Sequence, residues 1–552
     1  MGIKSYIRSS MDTIFYDSSL YEDSFDEIKI LKNQPTSFQM AYLFENEDED
    51  TANITPKLTV NVESEISDYV SLYSVENVGA NVIGPALTDD WYLSRKPGMY
   101  PDVCKKVKNN IVRCVSYQWG SLWVNINEEK ENLNPGEYDI KISLKCERKF
   151  TYECEKTVRV KVIDDTVLPH QRYVTNWMHY DCISYFSDAK PFSKKFYKAF
   201  KSYATLASKN GQNTVLFPAF TPALDTEVGC ERMTAQLVNI EKTDKGYVFD
   251  FSKAKEFVDI CRECGIKYFE HCHFFTQWGA KAAPKIVVKV NGKNKKLFGW
   301  HTNSIGVEYF GFLKEYIKAF KKFMKENKLT DSFVFHVSDE PHLKHMETYG
   351  PASEFVHKEL KGYIICDALA DYGFYESKVV TTPVAVTTTA DDFIGKADDM
   401  WIYFTGGVTR EYLTNRIIGI PYERQRILGV QMYYFGIKGF LQWGFNAHHT
   451  FLCKEIINPY ISPDMNKEFL AGTSYLVYPE KDCATPSVRL FIHRETFNDI
   501  SLLEKLESMV GRERVIEIIE EAMPGINLRY RVTKEQFDTL YNKVIEEIEK
   551  SI

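Results

Sequence analysis

Phe333-Val334-Phe335-His336-Val337-Ser338-Asp339-Glu340-Pro341 reads as a buried apolar strand running into two adjacent carboxylates and a proline. Charge is expensive to bury, so a strand that delivers an Asp-Glu pair points to acid/base work on a bound substrate. The dipeptide alone says little. Asp26-Glu27 and the acidic run Glu47-Asp48-Glu49-Asp50 also place such residues side by side, and both read as solvated surface. The strand in front of Asp339 sets this pair apart.

Working outward, similar short apolar runs recur on both sides. Val174–Trp177, Thr214–Phe217, Lys267–His271, Tyr363–Cys366, Val384–Thr388, Met400–Phe404 and Gly439–Trp443 are the other strand candidates. Amphipathic stretches separate many of them, most clearly Ala254 to Cys264 and Val307 to Glu326. Some eight β/α units in sequence predict a (β/α)8 TIM-like barrel. A doubly wound sheet is the alternative, but no glycine-rich phosphate loop follows the first strand.

The chain ahead of these units has a different period. Between Gly136 and Cys146, the residues Tyr138, Ile140, Ile142, Leu144 and Cys146 alternate with polar ones, and Val158, Val160 and Val162 resume the pattern. Ser37 to Phe44, Leu58 to Val62 and Ser121 to Ile126 alternate likewise. Period two with polar turns predicts an antiparallel β-sandwich with one wet face per sheet. The expected division is 1–165 as sandwich and 166–552 as barrel, with Asp164 to Pro169 as linker. Ile500 to Ile552 is read as charged helix closing the barrel or appended to it.

Bulk properties narrow the function. The chain has 552 residues and a net charge of −8 without a basic stripe, which argues against a nucleic-acid partner. No run of 18 apolar residues is present, so no membrane span is expected. Met1 to Arg8 carries no apolar segment behind its charge, and the twelve Cys lack the spacing of a disulfide scaffold; both point to a cytoplasmic location. With 34 Tyr, 36 Phe and 8 Trp the chain is rich in the rings that line sugar clefts.

Barrel enzymes assemble their sites at the C-terminal strand ends. There the sequence offers Trp177 and His179 after the first strand, His271, His273 and Trp278 after the third, and Asp339-Glu340 after the fourth. Tyr403 follows on the seventh, and Trp443 and Asn446 on the eighth. Strand parity places Glu340 with His336 and Ser338 on the inner face, while Asp339 reaches the site only if the strand ends there, which Pro341 favours. Two-carboxylate glycosidases take acid and nucleophile from separate segments. Adjacent carboxylates suit substrate-assisted hydrolysis instead. In that chemistry the sugar's 2-acetamido oxygen attacks the anomeric carbon, Glu340 protonates the leaving oxygen, and Asp339 holds the acetamido N–H.

At this point the chain resembles glycoside hydrolase family 123, the β-N-acetylgalactosaminidases. The matching pieces are Lys96 to Asp102, Gln118 to Val124 and Asn134 to Tyr138 in the first part. Later come His336 to Pro341, Tyr475 to Pro479 and Ser487 to Leu490. The resemblance implies a β-sandwich followed by a (β/α)8 barrel, and a retaining, substrate-assisted exo-glycosidase without cofactor that acts on terminal β-linked N-acetylgalactosamine of oligosaccharides or glycolipid glycans. Asp339 and Glu340 carry its catalytic pair. Family 20, the β-hexosaminidases, is a near neighbour, but its His-x-Gly-Gly-Asp-Glu pattern fails here: His336 lies three residues before Asp339 and the glycines are missing.

The competing readings are a β-N-acetylglucosaminidase of related mechanism and a non-catalytic carbohydrate-binding barrel. Trp443 would wall the acetamido methyl and Tyr403 would aim the acetamido oxygen, with packing as the plain alternative for each. His271 and His273, with Cys261, Cys264 and Cys272, invite a zinc reading. The cysteine pair sits on a helix before the strand and the histidines at its far end, so no metal is assigned. His448-His449 reads as a loop pair.

Overall fold

The computed structural model describes residues 2–45, 56–85, 88–147 and 150–552; the acidic run at 47–50 lies outside them. By packing, the chain divides into two units. The first comprises Met1–His170, Arg410–Tyr434 and Thr485–Ile552; the second comprises Gln171–Thr409 and Phe435–Ala484.

Two five-stranded sheets build the first unit. One has the order β1 (Gly2–Ser9), β3 (Thr36–Glu45), β8 (Trp119–Ile126), β5 (Val70–Ala80), β6 (Gly98–Lys106). The other runs β2 (Glu27–Leu31), β10 (Thr151–Ile163), β9 (Gly136–Glu147), β4 (Lys57–Glu63), β7 (Ile111–Arg113). Alternation does what the pattern requires: Ile140, Ile142, Leu144 and Cys146 of β9 turn inward and meet Phe38, Met40 and Leu122 of the facing sheet in one core. The all-antiparallel expectation is corrected, because β2 pairs with β10 in parallel and makes that sheet mixed.

Helices complete the same unit. α7 (Tyr422–Tyr434), α8 (Val488–Val510), α9 (Arg512–Ala522) and α10 (Lys534–Ser551) share a second core with the outer side of the first sheet. Phe491 of α8 stacks on Trp123 of β8 at 5.5 Å. Two of the motifs read from sequence meet here: Arg489 grips Asp102 through Nε and Nη2, both at 2.9 Å and fully buried. Removing one partner of such a pair strands the other charge in the core. Arg489→Ala is therefore expected to destabilise this unit by about 3–5 kcal/mol, read as a fall in the urea midpoint; a change below about 1 kcal/mol would refute the assignment.

The second unit is a closed barrel of eight parallel strands: β11 (Tyr173–Asn176), β12 (Thr214–Phe217), β15 (Tyr268–His271), β18 (Phe333–Phe335), β19 (Ile364–Leu369), β20 (Thr382–Val386), β21 (Trp401–Tyr403) and β22 (Gly439–Gln442), which pairs back onto β11. At the amino ends of the strands Tyr173 packs on Tyr268 at 4.7 Å and stacks on Trp401 at 5.1 Å. Gly439 is forced by this plug: a Cβ there would lie 2.3 Å from the Trp401 ring.

The connections correct the expected (β/α)8 TIM-like architecture. β11 leads through α1 (Tyr180–Phe186) and α2 (Lys194–Lys209) to β12. The next two crossovers insert hairpins, β13 (Asn239–Thr243) with β14 (Gly246–Asp250) and β16 (Ile286–Val290) with β17 (Lys293–Phe298), ahead of α3 (Ser252–Glu263) and α4 (Val307–Glu326). These hairpins join into a mixed four-stranded sheet. After β18 comes α5 (Met346–Glu359); after β19 only the four-residue α6 (Gly373–Glu376); after β20 only a 3-10 turn, Ala390–Asp392. The helix after β21 is α7, which belongs to the first unit. Helical content is 28%. The eight strand runs were visible because most of their residues are apolar, but the alternation rule supplied helices that the sequence does not encode. Thr387-Thr388-Thr389 is β-branched throughout, and Gly395 sits at φ +74°, so no helix propagates between β20 and β21.

Candidate active site

All eight barrel strands point their carboxyl ends to one mouth, where a cavity of about 230 Å³ opens. Asp339 and Glu340 both line it, with Trp177, Trp278, Tyr403 and Trp443. Six of the residues singled out from sequence thus converge. β18 ends at Phe335 instead of continuing to Val337, so the strand end, and not strand parity, governs where Asp339 and Glu340 point. The reason is Asp367 on β19, whose Oδ1 accepts the backbone N–H of Val337 at 3.0 Å and of Ser338 at 3.3 Å. A carboxylate replaces the ladder, the chain leaves strand geometry, and neighbours in sequence reach the same cavity.

The turn is held on both sides. Trp278 N–H donates to the Asp339 carbonyl at 2.8 Å, and Glu340 N–H to the Ala368 carbonyl at 3.1 Å. Glu340 (φ +45°) and Trp278 (φ +58°) sit in the left-handed region, a strained conformation for side-chain-bearing residues that clusters at functional sites. Tyr403 donates its hydroxyl to Glu340 Oε1 at 2.8 Å. Burial first, and then the charge of Glu340, hold the Asp339 carboxyl well above its ordinary range, although His336 pulls the other way.

Beneath the pair lies a charged group that the sequence reading had not assigned. His336 is fully buried, with Nε2 2.5 Å from Glu270 Oε1 and Nδ1 3.3 Å from Asp367 Oδ1. Burial alone would lower its pKa; the Cys366 sulfur, Glu270 and Asp367 outweigh it and raise the group well above its usual value. The two carboxylates account for this physically, since burial pushes the Cys366 thiol up and leaves it neutral. Glu270 also accepts from the Trp177 indole N–H at 2.7 Å and from Thr175 at 2.8 Å, and Tyr349 donates to Asp367. One network therefore fixes the Trp177 wall and the 336–340 turn together. Glu270 and Asp367 were legible in principle: each is a lone carboxylate inside an apolar strand, Tyr-Phe-Glu-His and Ile-Ile-Cys-Asp-Ala-Leu.

Four sequence candidates stand away from the cavity wall. His271 packs outward against α4, bonded to Tyr316 at 2.7 Å and to its neighbour's carbonyl at 2.6 Å, and burial pushes it down to about 3. His273 is wedged between the Trp177 edge and the His336 ring, at 5.1 and 4.6 Å. His179 bonds the Trp443 carbonyl at 3.0 Å, and Asn446 braces the His179 backbone at 2.9 and 3.1 Å. These last two hold the Trp443 wall from behind.

Among the described residues, His179, His449 and Cys453, and likewise Asp181, Cys182 and His449, lie close enough to share an ion. The Arg232 guanidinium occupies that ground. It contacts His179 Nδ1 at 2.9 Å, His449 Nε2 at 3.2 Å and Asp181 Oδ1 at 2.7 Å, supplying the positive charge itself. The zinc reading of His271, His273, Cys261, Cys264 and Cys272 finds no such cluster among the described residues.

A carboxylate pair in an aromatic-walled cavity at the carboxyl mouth of a parallel barrel has the groups that sugar hydrolysis needs, and sequence comparison identifies the family. The model of Glycoside hydrolase 123, catalytic domain, matches residues 177–506, more than half of the chain. The chain belongs to glycoside hydrolase family 123. Its fold is similar to that of a family 123 glycoside hydrolase from Clostridium perfringens, solved for glycolipid glycan hydrolysis, with TM-score 0.72, 14% identity, and coverage of 99% of this chain and 97% of that one. A putative glycoside hydrolase from Bacteroides vulgatus aligns with TM-score 0.29 and 11% identity over 88% of this chain and 79% of that one. No curated protein matches. Among the described residues no helix is long and apolar enough to cross a membrane.

Proposed function

We propose that this glycoside hydrolase removes terminal β-linked N-acetylgalactosamine from oligosaccharides or glycolipid glycans, with retention, using the substrate's own acetamido group as nucleophile. The observation that carries the reading is the sharing of one small cavity by the adjacent carboxylates Asp339 and Glu340, with Tyr403 bonded to Glu340. A cavity of about 230 Å³ is smaller than the usual ligand cleft and suits one sugar ring at a chain end. The glycolipid option follows the Clostridium perfringens relative.

In the first step the acetamido oxygen bonds to the anomeric carbon as the glycosidic C–O bond breaks. Glu340 gives its proton to the departing oxygen. The product is an oxazolinium ring whose N–H faces Asp339. In the second step Glu340, now a carboxylate, takes a proton from water; the water oxygen bonds to the anomeric carbon, and the acetamido group is restored. Two inversions give net retention. Burial makes the negative charge of Asp339 costly in the empty site, and the cation that forms beside it relieves that cost, which favours the transition state over the ground state. Trp443 would wall the acetamido methyl.

A thiazoline analogue of the acetamido sugar should inhibit competitively, and aryl 2-acetamido glycosides should be cleaved while the matching 2-hydroxy sugars are not. Comparable turnover of the 2-hydroxy sugars, or indifference to the thiazoline, would sink the mechanism. Galacto and gluco epimers in the same panel decide the C4 preference. Tyr403→Phe deletes the hydroxyl on Glu340 and should lower kcat about 10- to 100-fold, the worth of a hydrogen bond to a charged group, with the unfolding midpoint little changed; an unaltered kcat would remove Tyr403 from the chemistry.

A further inference from the structure

The cavity contains a third carboxyl that the proposed mechanism leaves unused. Asp225, in the loop after β12, lines it together with Asp339 and Glu340. Its Oδ2 is shielded from solvent and has no hydrogen-bond partner. Burial first, with a contribution from Glu340, pushes the group up to about 6, against the pull of Arg232 and of the Leu452 amide. Its backbone stands at φ +39°, in the left-handed region where a side chain is strained.

These costs are imposed from behind. Arg232 donates Nη1 to the Leu224 carbonyl at 3.0 Å while Nε and Nη2 lock onto Asp181 at 2.9 and 2.7 Å. A buried ion pair thus clamps the residue just before Asp225, and the Leu452 backbone amide interacts with its carboxyl. An incompletely bonded carboxyl on a strained backbone at the wall of a ligand cavity is preorganised for donors that arrive with the ligand.

The other walls offer few acceptors. Trp177, Trp278, Leu441, Trp443 and Phe469 present mostly apolar surface, and the Tyr403 hydroxyl is engaged with Glu340. A sugar ring entering this space strips water from its hydroxyls, and each buried O–H then needs an acceptor. An ionised carboxylate accepts from two neighbouring hydroxyls at once. We infer that Asp225 is a specificity-determining residue of the sugar subsite, accepting hydrogen bonds from ring hydroxyls away from the 2-position. This rests on the glycosidase reading above and deepens it.

The test is a cycle of kcat/KM values for wild type, Asp225→Asn and Asp225→Ala on an aryl 2-acetamido-β-galactoside and its 3-, 4- and 6-deoxy forms. In wild type, deleting the hydroxyl held by Asp225 should cost about 10- to 100-fold. In Asp225→Ala the same deletion should cost less than about threefold, with Asp225→Asn between, because coupled partners are not additive. Additive losses at all three positions overturn the inference, as does a wild type that tolerates every deletion. Should the alanine variant fail to fold, the near-isosteric asparagine variant and the wild-type series still decide. If wild type hydrolyses only sugars without the acetamido group, the earlier reading falls, and the deoxy series on those sugars judges Asp225 separately.

Discussion

Glu340→Gln should lower kcat on an unactivated 2-acetamido disaccharide about 10²–10⁴-fold, the usual worth of a positioned general acid, while binding of the thiazoline survives. The size of the loss depends on the leaving group. A nitrophenolate departs without much help, so the deficit should shrink steadily as the leaving group becomes more acidic. Asp339→Asn acts on the other end of the reaction. It weakens stabilisation of the oxazolinium, by about 10²–10³-fold in kcat for a lost electrostatic partner, and that loss should not depend on the leaving group. Equal leaving-group dependence in both variants would dissolve the division of labour. Stability should move the opposite way from activity. Asp339 has its folded pKa raised above the unfolded value of about 3.9. Its ionisation therefore costs folding free energy as pH climbs from about 4 through the raised value. Asparagine has no such cost, so Asp339→Asn should unfold at higher urea at neutral pH than wild type does.

His336→Ala is the second large effect, and it falls on the fold. The imidazolium stands between Glu270 and Asp367, all three buried. Removing it leaves two carboxylates facing each other in the barrel interior, and a loss of about 3–5 kcal/mol is expected. The sign with pH follows from the shifts. The folded pKa of His336 is raised, so its contribution is complete below its unfolded value of about 6.5 and fades as pH rises through the folded value. In the variant, the carboxyl of Asp367, already raised by burial, can take up a proton in acid. Urea titrations should therefore show a gap between wild type and variant that widens from acid to neutral pH and narrows again in the alkaline range. A small deficit that ignores pH would mean the imidazole is neutral filler. Activity should fall as well, because Asp367 also ties the amides of Val337 and Ser338.

What was legible in the sequence follows the physics of each signal. Runs of four or five mostly apolar residues marked the eight barrel strands, because a strand covered on both faces admits a polar side chain only where it finds a buried partner, as Glu270 and Asp367 do. Alternation marked the sandwich strands for the converse reason. Amphipathic periodicity marked α3 and α4, but the full set of eight β/α units was inferred from the strand count, and it failed where Thr387-Thr388-Thr389 and a four-residue helix stand in for crossovers. Asp339 and Glu340 were visible because charge ended an apolar run. His179, His271, His273 and Asn446 shared that strand-end position, but position along a strand does not say which way a side chain turns. His271 bonds outward to Tyr316, and His179 and Asn446 brace backbone. Asp225 had no local signal at all: it lies in an irregular loop, and its importance comes from Arg232, Leu452 and Glu340, which only folding brings near.

The assembly of the first unit from three separated stretches of chain has a consequence for synthesis. Its sandwich strands leave the ribosome more than 300 residues ahead of α8, α9 and α10. Until they emerge, Trp123, Leu31 and Tyr73 lack the cover that α7 to α10 provide, and Asp102 is still without Arg489. The nascent polypeptide must carry an incomplete, sticky sheet for the time it takes to translate more than 300 further residues. Such a chain invites chaperone attendance, and a nonsense mutation ahead of α8 would leave the sandwich sheet permanently without its helical cover.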